Sequence, residues 1–517
     1  LEELMKSNAK SVSLVAVFMI LARLLSFVSV QFYMAKFGAT DVYINIYSYA
    51  ISIPNVVFTC FGTALSTVFI PIFSGKIANG DEIGAKKFSN NMINITILIS
   101  IIFVAFGCAI SPVLARFTEF AQRRETLSFT IKALMIMMPA MIFYGLNYIF
   151  QGMLQSVEKY NMPALVSVPS SLIVIFYVVF LADYYGVFGL LIATLIGLST
   201  QALILIPPLI RAGFRYELVF DIKDADIILA AKKALPVLLG VSAYQLNMFF
   251  NITLMANFEN AVTMLYVVQN IVLYIVLALI YSITAVIYPN LTKFAAVGDF
   301  QSYKDTLNEV LQSVVVLMLP MTFGFISMRV PLLDFLVKYG KVTANDVSFG
   351  ASLLALYSIG ILGISFKEIL DRALYSVKDT KTPAVTGVIV MLVNVSLSLV
   401  FITFMRERGI VLAYSVSALV GAYVLFRRLK RKIGQFTKNL KLTFFKCATA
   451  SVFMFLAVTL INELLANLPD VFLYRLVKLF IPVLAGVIVY FVLCKVFHVR
   501  EVDLIYEKIK GAIFRKK

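Results

Sequence analysis

An arginine set in the middle of an apolar run, a knot of four charges and a scatter of amides are the residues of this chain with chemistry to offer. Arg23 lies midway along the run from Ser11 to Met34, a depth at which an arginine costs about 2.5–3.5 kcal/mol on insertion scales. Two readings are open for it. Its planar guanidinium matches a phosphate in bidentate fashion, or it is a structural arginine satisfied by backbone carbonyls or by a carboxylate such as Asp41. The four charges are Lys367, Glu368, Asp371 and Arg372. A spacing of four sets Lys367 beside Asp371 and Glu368 beside Arg372 on a helix. The apolar stretch Phe349 to Phe366 before them already crosses most of a bilayer, so they are expected as an ion-pair network at the cytoplasmic end of their span. Asn247, Asn251, Gln269, Asn270 and Asn394 are neutral polar residues within apolar runs. They are able to bond hydroxyl groups, and Asn251 and Asn394 are candidates for holding a cation through carbonyl oxygen. The same residue types also join helices in membranes.

Other chemistry is excluded. The one histidine, His498, follows the last apolar run, so a histidine pair or a histidine–carboxylate dyad is not available. Cys60, Cys108, Cys447 and Cys494 stand singly inside apolar stretches, without the spacing of a disulfide framework or a metal site. No catalytic constellation, resident cofactor or metal centre is expected. The net charge of +17 is scattered over short loops instead of forming a basic face, which argues against nucleic acid.

The elements that position these residues follow from composition. The 517 residues are 61% hydrophobic and only 14% charged, with mean hydropathy +0.92, which marks an all-α polytopic membrane protein. Apolar runs predict fourteen spans, near 11–34, 42–74, 88–114, 128–156, 162–182, 187–210, 228–256, 261–290, 308–328, 346–377, 382–405, 408–426, 440–465 and 471–494. The first run is too long for a cleavable signal and carries Arg23, so it is expected to stay in the membrane. Alternate loops hold 29 of the basic residues on one side against 11 on the other. Both termini are therefore expected in the cytoplasm.

Two segments recur. Ala64-Leu65-Ser66-Thr67-Val68-Phe69-Ile70-Pro71, with Gly80-Asp81 beyond it, returns 218 residues later as Ser282 to Pro289 with Gly298-Asp299. Ser156 with Pro163-Ala164 returns 220 residues later as Ser376 with Pro383-Ala384. Six spans separate the copies, so the halves insert with the same orientation, an architecture of alternating-access transporters. The expected organisation is 1–215 (spans one to six), 216–432 (spans seven to twelve), 433–497 (two further spans) and 498–517 (a basic cytoplasmic tail). An ion-coupled exporter of small molecules shares that mechanics but needs acidic groups within the spans. A membrane-embedded transferase needs a catalytic carboxylate or acidic metal-binding pairs.

Ala22-Arg23-Leu24-Leu25-Ser26-Phe27, Phe37-Gly38-Ala39-Thr40-Asp41, Ile53-Pro54-Asn55 and Phe69-Ile70-Pro71 resemble the opening of the MurJ/MviN lipid II flippases of the MOP superfamily. Arg372-Ala373-Leu374-Tyr375-Ser376 with Asp379-Thr380-Lys381-Thr382-Pro383 is similar to their tenth-span signature. The resemblance covers essentially the whole chain. It implies transport of undecaprenyl-pyrophosphate-linked muropeptide from the inner to the outer leaflet of a bacterial cytoplasmic membrane, or of another polyprenyl-linked oligosaccharide in a divergent relative. It also implies a cationic cavity, an apolar groove for the lipid tail at 433–497, a sodium ion, proton or membrane potential as driving force, and membrane lipids and the cell-wall synthesis machinery as partners. Arg23 matches the family's first cavity arginine and Asp41 its acidic residue after the first span. Ser29 stands where a second arginine is expected, Phe58 near the position of a third, Asn270 near a basic position of span eight and Asn251 near an aspartate of span seven. Substrate contact is accordingly expected at Arg23, Ser29, Asp41 and Asn270.

Overall fold

Every strongly apolar run becomes a helix. The computed structural model describes residues 2–258, 261–436 and 439–503, and no strand occurs among them. Twelve helices are long and apolar enough to cross a bilayer, and two bent pairs bring the number to fourteen. The basic tail expected after 497 lies largely outside the described residues.

The chain divides into two compact units, residues 1–263 with 339–342, and 264–338 with 343–517. In the first unit spans one to three are Glu2–Phe37, Val42–Ala78 and Glu82–Arg116. Spans four to six are Arg124–Ser156, Asn161–Phe180 and Ala182–Arg211. Span seven, Ala225–Met255, bends by 53° between Leu238 and Val241. It packs along span two, which also packs on span four. The packing boundary therefore falls after span seven, whereas the sequence repeat starts its second half before it. In the second unit spans eight and nine are Val262–Val297 and Phe300–Ser327, followed by the short helix Arg329–Val337. Span ten consists of Ala344–Ser358 and Ile361–Ser376, bent by 42°. Spans eleven to fourteen are Lys381–Met405, Glu407–Ile433, Leu440–Leu465 and Phe472–Val496. Spans nine, thirteen and fourteen pack together, as do ten, eleven and twelve.

The repeat is written into the turns. Gly80 (φ 73°) and Gly298 (φ 76°) both take the left-handed conformation, which glycine adopts without a Cβ penalty. The aspartate after each caps the next helix: Asp81 accepts from the Gly84 amide at 2.8 Å and Asp299 from the Ser302 amide at 3.0 Å. Both carboxyls are held below the usual range, Asp81 chiefly by the Gly84 backbone bond and Asp299 chiefly by Ser302. At an offset of 220, Glu158 (φ 58°) matches Lys378 (φ 59°), and Gly186 (φ 56°) matches Arg406 (φ 53°). The amide of the residue after each member of the first pair closes the same turn, Lys159 onto the Leu154 carbonyl at 2.8 Å and Asp379 onto the Leu374 carbonyl at 2.9 Å.

Between spans six and seven the backbone leaves the helix, and span three satisfies it. Asn91 donates to the Asp221 carbonyl at 2.7 Å and accepts from the Asp221 amide at 2.9 Å. Asn90 treats the Arg215 carbonyl and the Glu217 amide in the same way. Asn94 donates to the Val219 carbonyl and accepts from the Tyr216 hydroxyl. Ion pairs Lys86–Glu217, Lys87–Asp224 and Lys76–Asp226 complete the strap. The Lys87 ammonium, bonded to Asp224, holds that carboxyl below its usual range.

Two substitutions test this accounting by unfolding in detergent. Asn91→Leu orphans a backbone amide and a carbonyl together and is expected to cost about 2–4 kcal/mol, at 1–3 for each unsatisfied group. Asp299→Ala removes a cap alone and is expected to cost about 1 kcal/mol. Equal losses from the two would refute the strap's role.

Candidate functional site

The largest recess of the second unit is an apolar groove of about 330 Å³ between spans nine, thirteen and fourteen. It is lined by Pro320, Gly324, Met454, Val458, Gly486 and Tyr490 among others. Small residues open it: a Cβ on Gly486 would come within 2.8 Å of Val458, so span fourteen approaches span thirteen closely there. Pro320 has no N–H, which leaves the carbonyl four residues earlier, that of Val316, without its helical donor. The Tyr490 hydroxyl supplies one at 2.7 Å. The groove is therefore built around a repaired break in span nine, and its wall is apolar because its polar groups are already bonded.

The groove is pinned at the end that carries the loops after spans nine and thirteen. Asp470 meets the Arg475 Nε at 2.6 Å and the Lys338 Nζ at 2.8 Å. Lys338 also pairs with Asp334 at 3.0 Å, and Arg475 donates to the Lys338 carbonyl at 2.7 Å. The Arg475 guanidinium, then the Lys338 ammonium, push the Asp470 carboxyl down to about 2, while the Asp470 carboxylate raises Lys338. Asn462 adds a bond to the Ser327 carbonyl at the end of span nine. Sequence reading missed this cluster. Asp334 and Lys338 carry an i, i+4 signal, but Asp470 and Arg475 lie more than 130 residues away.

The residues singled out from sequence are distributed as follows. Arg23 is exposed on span one. Ser29 is buried and its hydroxyl donates to the Ser26 carbonyl at 2.7 Å, an ordinary helical back-bond. Asp41 is the N-cap of span two, accepting from the Tyr43 and Ile44 amides at 2.9 and 3.2 Å, so its acceptor capacity serves the helix first. Asn251 and Asn394 are buried, one in each unit, and Asn270 is half-buried. Of the four charges in span ten, Lys367 and Asp371 close at 2.7 Å. Asp371 is buried and the Lys367 stem lies against Gly421 of span twelve. The matching pair expected between Glu368 and Arg372 does not close within salt-bridge distance among the described residues, so the expected double network is corrected to a single ion pair. Equal spacing places both pairs within reach, but desolvation opposes ion pairing and only close, hydrogen-bonded geometry offsets it. No group of three His, Cys, Asp or Glu side chains suited to a metal occurs among the described residues.

Because its folded value lies below the ordinary 3.8, Asp470 contributes stability that is present above about pH 4 and lost as pH falls through about 2. Its side chain is half exposed, which limits the contribution to about 1 kcal/mol. Asp470→Asn is expected to remove that component of the acid-side melting curve while leaving the slope above pH 5 unchanged. Identical curves between pH 2 and 4 would show that the clamp contributes nothing.

A family model described as "Lipid II flippase MurJ" matches residues 34–481. A probable lipid II flippase MurJ of Buchnera aphidicola subsp. Baizongia pistaciae is 25% identical over 481 residues, covering 91% of this chain and 93% of that protein. Among solved structures, a lipid II flippase MurJ in an inward closed conformation aligns with a TM-score of 0.79 at 23% identity, over 95% of this chain and 99% of that one. An inward-facing multidrug resistance MATE family transporter of the MOP superfamily aligns with a TM-score of 0.65 at 15% identity, over 81% of this chain and 96% of that one. Fourteen helical spans, two sets of turns repeating at one spacing and a family match over residues 34–481 agree: this chain is a multi-pass bacterial membrane protein that belongs to the lipid II flippase MurJ family.

Proposed function

We propose that the chain moves lipid II, the undecaprenyl-pyrophosphate-linked peptidoglycan precursor, from the inner to the outer leaflet of the cytoplasmic membrane, with both termini in the cytoplasm. The observation that carries this reading is the family match over residues 34–481. Alternating access between the halves 1–215 and 216–432 passes the headgroup through, and no bond of the substrate changes. Arg23 contacts the pyrophosphate, because a guanidinium offers two parallel charge-assisted bonds to phosphate oxygens. Ser29 and Asn270 are the neutral polar contacts assigned to the headgroup, and Asp41 fixes the start of span two beside them in sequence. The apolar groove of spans nine, thirteen and fourteen, within 433–497 and its neighbour, takes the lipid tail. It buries hydrocarbon at about 25 cal/mol per Å² without demanding hydrogen bonds. Lys367 and Asp371 hold span ten as an ion pair, with Glu368 and Arg372 beside them. Asn251 and Asn394 are the assigned carbonyl donors for a coupling sodium ion, with a proton or the membrane potential as the other sources of drive. Cell-wall synthesis enzymes at the outer leaflet are the partners that consume the product.

Complementation of a bacterium depleted of its own flippase tests the reading, with outer-leaflet lipid II measured directly. The wild-type chain is expected to restore growth and exposure of lipid II. Normal membrane insertion with unchanged leaflet distribution would sink the assignment. Arg23→Ala is expected to lower flipping by about 10- to 100-fold, the equivalent of losing 1.5–3 kcal/mol of charged hydrogen bonding, with Arg23→Lys retaining part of the rate. Full activity of the alanine variant would remove the proposed contact.

A further inference from the structure

The first unit contains a cavity that the flippase reading does not use. It measures about 450 Å³, lies between spans two, three, four and seven, and is lined almost wholly by apolar groups. Phe61 and Phe103 form one wall, their ring centroids 6.1 Å apart. Val57 and Ile110 line it from spans two and three, and Leu246 and Phe249 from span seven. Its polar atoms are already engaged: the Ser242 hydroxyl donates to the Leu238 carbonyl at 2.6 Å, and the Cys60 thiol lies 3.2 Å from that hydroxyl. Water needs two to four polar partners to occupy such a space, and this lining does not offer them. Left empty, the space would forfeit dispersion contacts on every side.

We propose that this cavity holds one acyl chain of a bilayer phospholipid. At about 30 Å³ for a methylene-sized group, the packing share of a water molecule, the volume takes about 15 carbons. That is one acyl chain and far less than a whole undecaprenyl tail. The cavity's rim runs into exposed apolar surface on spans three and seven, at Ile102 (59% exposed), Phe106 (64%) and Phe250 (40%). Within a membrane-spanning unit that surface is covered by the bilayer, so phospholipid chains reach the opening at far higher concentration than any substrate. The cavity also lies at the bend of span seven: Leu238 is at the bend, and Ser242, Gln245, Leu246 and Phe249 follow it. A chain that fits this lining and no other arrangement of span seven shifts the population toward the bent form.

The chain contains no tryptophan, so a single introduced indole is a clean reporter in nanodiscs of brominated phosphatidylcholine. Phe249→Trp reads the cavity, and Phe176→Trp, at a 56% exposed position of span five, reads bulk lipid. On dilution into excess unbrominated lipid, quenching at position 176 is expected to vanish at once and quenching at 249 to decay at least about tenfold more slowly. Equal decay at both positions would overturn the proposal, as would an absence of quenching at 249. In parallel, the doubly filled variant Val57→Phe/Ile110→Phe is expected to retain one phospholipid fewer than wild type after detergent exchange, counted by native mass spectrometry. Equal counts, or a polyprenyl lipid as the retained molecule, would count against it. If the filled variant fails to fold, the dilution kinetics decide alone. Because lipid II flipping is not part of either readout, failure here leaves the flippase reading untouched.

Discussion

In hydrocarbon no water stands ready for an orphaned amide or carbonyl, and every departure from helix in this chain is met by a side chain or confined to a turn. Pro320 frees the Val316 carbonyl and Tyr490 takes it. Buried serines bond back within their own helices, Ser52 onto the Ser48 carbonyl and Ser451 onto the Cys447 carbonyl. Where the linker before span seven runs extended, Asn90, Asn91 and Asn94 offer it alternating donors and acceptors, as a neighbouring strand would in a sheet. These asparagines carry no charge, so the same bonds cost less to bury than an ionic set. Functional breaks in such a chain are possible only where a repair of this kind is in place.

The same constraint explains why the repeat survives in turns more visibly than in spans. Lipid-facing positions accept any apolar residue, so their identities drift at little cost. A left-handed turn followed at once by a helix needs a residue that tolerates positive φ and a cap behind it, and few residues serve. Gly80-Asp81 and Gly298-Asp299 keep both features. Gly186 and Arg406 keep the backbone shape while the side chain has changed altogether. The conformation is thus the conserved quantity between the halves, and its cost for a non-glycine residue at 406 is borne by the helices on either side.

Much of the fold was legible because hydropathy and turn chemistry are local. The fourteen apolar runs became fourteen spans, extended at their ends by polar turns that still hydrogen-bond, as where Asp81 starts span three at Glu82 instead of residue 88. Packing was less legible. The repeat begins its second half before span seven, yet that helix packs on span two, because shared ancestry does not dictate which helix a side chain meets. Among the charges, Lys367–Asp371 was readable from spacing, and Glu368–Arg372 had the same spacing without closing. Asp41 carried the signature of a helix cap in its own position before a long apolar run, which sequence reading passed over for a ligand role. The Asp470 clamp joins residues more than 130 positions apart, and one sequence carries no sign of such a meeting.

Apolar volume alone does not choose between lipids. Adding or removing one methylene in an apolar site changes binding by about 1–3 kcal/mol at most, whereas a site built around hydrogen bonds rejects a ligand lacking the matching group far more strongly. The groove beside Tyr490 and the cavity beside Phe249 therefore set where hydrocarbon rests and how long it stays, and discrimination has to arise at the headgroup. On the proposed reading, Ser29, Phe58 and Asn270 stand where the family resemblance leads one to expect cations. Fewer cations leave a larger share of recognition to neutral hydrogen bonds, which are weaker singly and more directional. A cavity of that kind selects by the shape of the sugar and peptide more than by the phosphates' charge, and its affinity should depend correspondingly little on salt.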